Sequence, residues 1–242
     1  MPFTFAHPAA VLPFAKKQAS YISVTALILG SMAPDFEYFL HFRPYGVIGH
    51  TWLGFLYFNL PLVLLLAYGY HSILKKPFIT HLPKPFAGYY TYAVDERWGV
   101  RTWKDFFVFI YSALFGMLTH VVWDAFTHRT GYFVMKIPLL QRELHSIPVY
   151  NYMQHGSTCF GFLLLLYVLW NYGDKTGKDS ILASEKRKYW VSVIIASAII
   201  FIVHAFVDPY FHIFQIGGII VSGLTSLFCG LLIVSIVYKA RD

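Results

Sequence analysis

Five stretches of the chain stay apolar for close to the ~20 residues that a helix needs to cross a hydrocarbon layer. They are residues 50–70, 106–127, 155–172, 190–207 and 214–238. Trp52, Trp123, Trp170, Trp190 and Tyr238 fall near their ends, where aromatic rings settle at a membrane–water boundary. Two shorter apolar runs, 8–17 and 20–33, come first, split by Lys16-Lys17-Gln18. Each is short for a crossing, and together they predict a helical hairpin. Pro8 is tolerated in a first helical turn, and Pro34 closes the second arm. A cleaved leader fits less well, because its basic residues would open the chain and Pro34 spoils the small-residue site at Gly30-Ser31-Met32-Ala33. Antiparallel arms would set His7 beside Asp35. The pattern predicts an all-α, polytopic membrane helical bundle of about five transmembrane helices. It reads as one integral-membrane domain over residues 1–242, with a hairpin and ligand-bearing turn in 1–48 and a five-span bundle in 49–242.

Composition agrees. The chain is 57% hydrophobic and only 13% charged, with mean hydropathy +0.54. Soluble domains carry about 25% charged residues, so a water-soluble globule is excluded, as are disorder, coiled coil and collagen. Cys159 and Cys229 both sit inside apolar stretches, which excludes a disulfide framework and a cysteine metal knuckle. The net charge of +7 would suggest nucleic acid in a soluble protein. Here the basic residues gather between apolar stretches and serve orientation instead. Loops 71–105 and 173–189 with the C-terminus hold thirteen Lys and Arg, and the opposite side six. By the positive-inside rule the first side is cytoplasmic.

That orientation leaves most of the eleven histidines on the other side. His7, Asp35, Glu37, His41, His50, His128, Glu143, His145, His155, Asp208 and His212 all fall there or at that end of a span. The sharpest unit is His120-Val-Val-Trp-Asp124-Ala-Phe-Thr-His128. Steps of four residues advance only about 40° around a helix, so the three side chains share a stripe roughly 12 Å long. Ionisable groups inside an apolar span are costly unless paired, hydrated or bound to metal. Two imidazoles and a carboxylate on one stripe make half of a zinc or di-metal site; a His–Asp hydrogen bond fastening neighbouring helices is the plainer alternative. Asp35 follows an apolar helix, with Pro34 expected to hold the chain extended. His155 opens a later span, with Glu143 or His145 as partners and Ser157 or Thr158 as a helix cap. His204-x-x-x-Asp208 repeats the spacing before His212, but Pro209 disturbs its face.

The opening Met-Pro-Phe-Thr-Phe-Ala-His7-Pro-Ala-Ala, the Gly30-Ser-Met-Ala-Pro-Asp35 turn and Gln154-His155-Gly-Ser resemble a family of bacterial integral-membrane proteins over most of the chain. The order His7, Pro34-Asp35, His50-Thr51, His120-x-x-x-Asp124 is similar to the YdjM-like inner-membrane metal-dependent hydrolases. More distantly it is similar to zinc-dependent phospholipase C. The resemblance implies zinc, one to three ions, held by His7, Asp35, His50, His120 and Asp124, with His128 and His155 as additions. Two departures stand out. No H-x-x-x-E pair follows His128, and Pro34-Asp35-Phe-Glu37 replaces the Pro-Asp-x-Asp of the YdjM-like family.

Together these readings point to a zinc-dependent hydrolase in the bacterial cytoplasmic membrane. Its expected substrate is a phosphoester of a lipid or lipid-linked phosphate at the non-cytoplasmic face, with no nucleic acid as partner. Asp35 and Asp124 would carry the catalysis, and Arg129, with Arg43 and Arg142, would fork the phosphate oxygens. The rivals are a metal- or proton-translocating transporter and a non-catalytic protein with a structural metal. Orientation is directly testable. A cysteine placed in loop 129–154 should react with an impermeant thiol reagent in intact cells, and one in loop 173–189 should not; the reverse pattern would overturn the assignment of sides.

Overall fold

The computed structural model describes residues 3–15 and 20–240. Lys16, Lys17 and Arg241, three of the cations used for orientation, lie outside them. The chain is an all-α bundle and a multi-pass membrane protein, with five helical stretches among the described residues long and apolar enough to cross a membrane. The N-terminal hairpin is built from α1 (Pro8–Val11), which runs into a 3-10 turn over Leu12–Phe14, and α2 (Val24–Met32). The long helices are α3 (Trp52–Thr80), α4 (Trp103–Thr127), α5 (Val149–Asn171), α6 (Ala183–Val207) and α7 (Ile216–Lys239). Two-residue strands at Glu143–Leu144 and Ile147–Pro148 pair antiparallel. His145 and Ser146 turn between them at φ 50° and 63°, as a tight hairpin of the right-handed twist requires.

The helices outrun the apolar stretches that announced them. The first span does not end at Tyr70 but continues to Thr80, because the Lys75 ammonium donates to the Glu96 carbonyl at 2.6 Å and Lys239 donates to the Ser72 carbonyl. α6 starts at Ala183 rather than Trp190; Lys186 in its first turns pairs with Asp179 at 2.7 Å and donates to the Leu82 carbonyl. α5 starts at Val149 rather than His155. Pro34 also behaves otherwise than expected. It opens a 3-10 turn over Ala33–Asp35 instead of holding the chain extended, and Ala33 before it is helical at φ −57°, ψ −37°. A proline costs nothing where the N–H would be unpaired anyway.

The chain divides into two compact units, each drawn from three stretches. The first holds residues 1–36, 47–67 and 100–171. Its frame is the crossing of α2 and α4. A Cβ on Gly30 would collide with the Ala113 backbone, and one on Gly116 with the Leu27 and Ser31 backbone, each under 3 Å. Small residues at both positions let the two backbones touch, which is how helices pack tightly where lipid removes the hydrophobic drive. Each helix is capped. Ser23 accepts from the Ala26 N–H while its own N–H donates to Ser112 Oγ at 3.0 Å. Thr102 and Asp105 form a reciprocal capping box at the start of α4. The N-terminal turn rests on α5, where Thr158 Oγ1 accepts from the Phe3 N–H at 3.1 Å and Gly161 meets Ala6.

The second unit holds residues 37–46, 68–99 and 172–242. α6 and α7 enclose Tyr189, Val193 and Val234. Tyr189 Oη and Ser235 Oγ share a hydrogen bond of 2.9 Å across that pair, and Gly230 lies against Ser197.

The α2–α4 contact generates a contrast between glycines. Gly116→Leu forces a side chain into backbone, and overpacking of this kind costs about 1–3 kcal/mol or more. Gly223→Ala on α7 meets nothing within 4 Å and gains helix propensity of up to about 1 kcal/mol. Thermal unfolding in detergent should show a large fall for the first and no fall for the second.

Candidate metal centre

Five side chains from four elements converge in the first unit. His7 ends the 3-10 turn Thr4–Ala6 and precedes Pro8. Asp35 ends the 3-10 turn after α2. His50 stands two residues before α3, next to the Thr51 cap, which accepts from the Gly54 N–H at 2.9 Å. His120 and Asp124 share one face of α4, with His120 seven residues, or about 10 Å, from its end. His7, Asp35 and His120 are 0–1% exposed, whereas the His50 side chain is 35% exposed and that of Asp124 13%. The cluster is closed on the bundle side and open on one flank.

The polar atoms face one another. His120 Nε2 lies 3.2 Å from Asp124 Oδ2 and 3.6 Å from Asp35 Oδ1. His50 Nε2 lies 3.5 Å from Asp35 Oδ1 and 3.8 Å from Asp124 Oδ2. His7 Nε2 lies 3.6 Å from Asp124 Oδ1, and its ring stacks on that of His120 at 3.8 Å. Ligand atoms 2.0–2.2 Å from a tetrahedral zinc stand about 3.3–3.6 Å apart, so these separations match a coordination shell. His7, Asp35 and His120 form one group whose ligand atoms lie within 4.8 Å of one another; His50, His120 and Asp124 form a second.

Both histidine orientation and charge suit a cation. Nδ1 of His120 donates to the Ser31 carbonyl at 2.8 Å, which leaves Nε2 facing the cluster, as metal-ligating histidines are held. Thr4 Oγ1 donates to Asp35 Oδ2 at 2.6 Å and leaves Oδ1 facing the cluster. His7 Nδ1 and Nε2, His120 Nε2, Asp35 Oδ1 and Asp124 Oδ1 are buried without a hydrogen-bond partner. Native interiors rarely leave such atoms unsatisfied. Burial pushes the Asp35 carboxyl up from its ordinary value and holds His7 well below its own, with the neighbouring His120 adding to the effect. One divalent ion would balance the charge of the two carboxylates.

α4 ends at Thr127, so His128 is a cap with extended backbone; its Nδ1 lies 3.1 Å from the Asp124 carbonyl and 3.5 Å from Asp124 Oδ1, at the edge of the cluster, although it is in neither three-residue group. The other expected residues lie elsewhere. His155 is exposed on α5 and joins neither group. Glu143 and His145 are exposed in the small hairpin. Thr158 is no helix cap: inside α5, it donates to the Gln154 carbonyl while holding Phe3. Arg129 is exposed just past α4, and Arg142 is exposed as well. Glu37 pairs with His41 at 3.8 Å in the second unit, which also contains Arg43, His204, Asp208 and His212.

Sequence reasoning missed the residues that aim the ligands. Thr4, three positions before His7, carried no signal of its own. Asn59 did: it is an amide inside an apolar span. It is fully buried, lies in a π-helical turn over Phe55–Asn59 and donates to the Gly49 carbonyl at 2.7 Å, fixing the backbone beside His50. Widened turns of this type recur at functional sites.

Fold and cluster together define a class: a multi-pass helical membrane protein with a buried His/Asp centre open on one flank. Residues 1–236 match the family described as Domain of unknown function (DUF4184), and the chain belongs to that family. No curated protein matches it. No solved structure matches it either.

The Thr4–Asp35 hydrogen bond yields a direct test. Thr4→Val keeps the shape but strips a buried carboxylate of its donor, at a cost of about 1–3 kcal/mol. Thermal unfolding should fall for Thr4→Val and recover in Thr4→Ser, which restores the hydroxyl. Equal stability of Thr4→Val and wild type would show that the bond does not hold Asp35.

Proposed function

We propose that this protein is a membrane-embedded, zinc-dependent hydrolase that cleaves a phosphoester, in a lipid or lipid-linked phosphate, at the non-cytoplasmic face of a bacterial cytoplasmic membrane. The observation that carries the reading is the set of buried, unpartnered nitrogen and oxygen atoms of His7, Asp35, His120 and Asp124, set with His50 at coordination spacing. His7, Asp35, His50, His120 and Asp124 would hold the metal, as the overlapping groups His7–Asp35–His120 and His50–His120–Asp124. A metal held there lowers the pKa of a bound water toward ~7 and polarises a phosphoryl oxygen.

The residues of the chain supply the rest. His7, His120 and Asp35 exclude water from the bundle side, while the exposed flank at His50 leaves room for a substrate. A purely structural metal has every position closed by protein, and an open flank favours catalysis over that role. Arg129, outside α4 and without an ion pair among the described residues, is a candidate to hold phosphate oxygens. Translocation is less well supported. Below His120 the buried residues of α4 are Met117, Gly116, Ala113, Ser112 and Phe109, which offer no ionisable relay. The order His7, Asp35, His50, His120, Asp124 resembles that of the YdjM-like hydrolases and, more distantly, of zinc-dependent phospholipase C, and this resemblance supports the phosphoester.

Metal analysis decides first. Purified protein should carry zinc, and chelation should lower its melting temperature, since a ligand of the native state alone stabilises it. Asp124→Asn should lose metal together with any hydrolysis of a phospholipid and polyprenyl-phosphate panel, whereas His204→Gln, in the other unit, should keep both. Metal retained by Asp124→Asn would reject the centre. Full metal with no hydrolysis across the panel would reject the enzyme and leave the structural metal.

A further inference from the structure

The second unit contains a groove of about 560 Å³, and its chemistry is amphipathic. One wall is a strip of α6 made by Ile199, Ile200, Val203 and Val207. Eight residues of helix separate the ends of that strip, about 12 Å. The mouth is formed by the loop after the short helix Phe36–Leu40 and by Tyr210. There the apolar wall meets a guanidinium.

Arg43 is placed by the backbone. The Arg43 N–H donates to the Tyr38 carbonyl and the Phe42 N–H to the Phe39 carbonyl; this is the bonding of a Schellman ending, in which Phe42 takes the left-handed position that glycine usually fills. Phe42 has φ 53°, and Ser222 Oγ fixes its carbonyl with a hydrogen bond of 2.6 Å. The Arg43 guanidinium then lies between two rings, 4.9 Å from the Tyr45 centroid and 4.4 Å from that of Tyr210. Aromatic faces hold the cation without using its N–H donors. No carboxylate pairs with Arg43 among the described residues. The carboxylate that lines the groove is otherwise engaged: Asp208 accepts from the Tyr210 N–H at 2.9 Å and faces His204 at 3.5 Å.

A held guanidinium with free donors, at the end of a membrane span beside an acyl-width apolar strip, complements one kind of molecule. We propose that this groove binds an anionic glycerophospholipid, its phosphate forked by Arg43 and one acyl chain laid along Ile199–Val207 of α6. The exposed Tyr45 and Tyr210 mark the headgroup level. The proposal is independent of the metal reading, since every residue in it belongs to the second unit.

The test is lipid retention by purified protein in neutral detergent, followed by native mass spectrometry. Wild-type protein titrated with phosphatidylglycerol should retain one lipid at a concentration about tenfold below that needed for phosphatidylcholine, the difference one charge-assisted pair supplies. Arg43→Gln should lose that lipid. Val203→Trp, which fills the apolar strip without touching the charge, should lose it too, and Asp124→Asn should keep it. Inorganic phosphate should not be retained. The proposal is overturned if both Arg43→Gln and Val203→Trp retain the same lipid, if phosphatidylcholine binds equally well, or if inorganic phosphate is held as tightly as the lipid, which would mean an anion site without a tail groove.

Discussion

Everything in the first unit depends on how closely α2 approaches α4. At Gly30 and Gly116 the two backbones are in contact, with no room for a single Cβ. That contact brings the Ser31 carbonyl to His120 Nδ1 and sets Asp35, four residues further on, opposite His120 Nε2. An ångström of separation between the helices would break the hydrogen bond that selects the histidine tautomer. It would also open the Asp35–His120 pair. Two glycines inside helices are destabilising on propensity alone, so their presence is explained by what they let the neighbouring polar groups reach.

The electrostatics follow from that packing. Asp35 is fully buried and has one neutral donor, Thr4. An isolated carboxylate in such a place would be strongly penalised, and the stacked rings of His7 and His120 disfavour charging both imidazoles to compensate it. A divalent ion would resolve the conflict at one point without placing like charges on the two stacked rings, 3.8 Å apart. The same arrangement explains the asymmetry of exposure. Asp35, His7 and His120 are sealed, and His50, beside the Gly49 carbonyl that Asn59 holds, lies at the exposed flank with its Nε2 turned into the cluster.

Much of this was legible in the sequence. Apolar runs located all five spans, because burial in lipid demands hydrophobicity over a fixed length. His7, Asp35, His50, His120 and Asp124 were each picked out by an ionisable side chain at the edge of an apolar run, or within one. Their meeting was foreseen in part: the hairpin reading set His7 beside Asp35, and both now lie in one group with His120. What hydropathy could not give was helix length, since Lys75 and Lys186 extend α3 and α6 into polar surroundings through carbonyl and carboxylate partners. Nor did it give the end of α4. The helix stops one residue before His128, whose Nδ1 nevertheless stays 3.5 Å from Asp124 Oδ1.

The repeated His-x-x-x-Asp spacing shows where pattern stops and packing takes over. His120–Asp124 and His204–Asp208 are both i,i+4 pairs, at 3.2 Å and 3.5 Å. The first faces Asp35, His50 and His7 from other elements, so its polar atoms remain available to a cation. The second sits at the end of α6, where the chain leaves the helix before Pro209 and folds Asp208 onto the Tyr210 N–H, while Phe42 and Phe211 pack on the imidazole. One pair is surrounded by ligands and the other by rings. Helical spacing puts a histidine and an aspartate on a common face; the elements opposite that face determine whether they form a centre or a clasp.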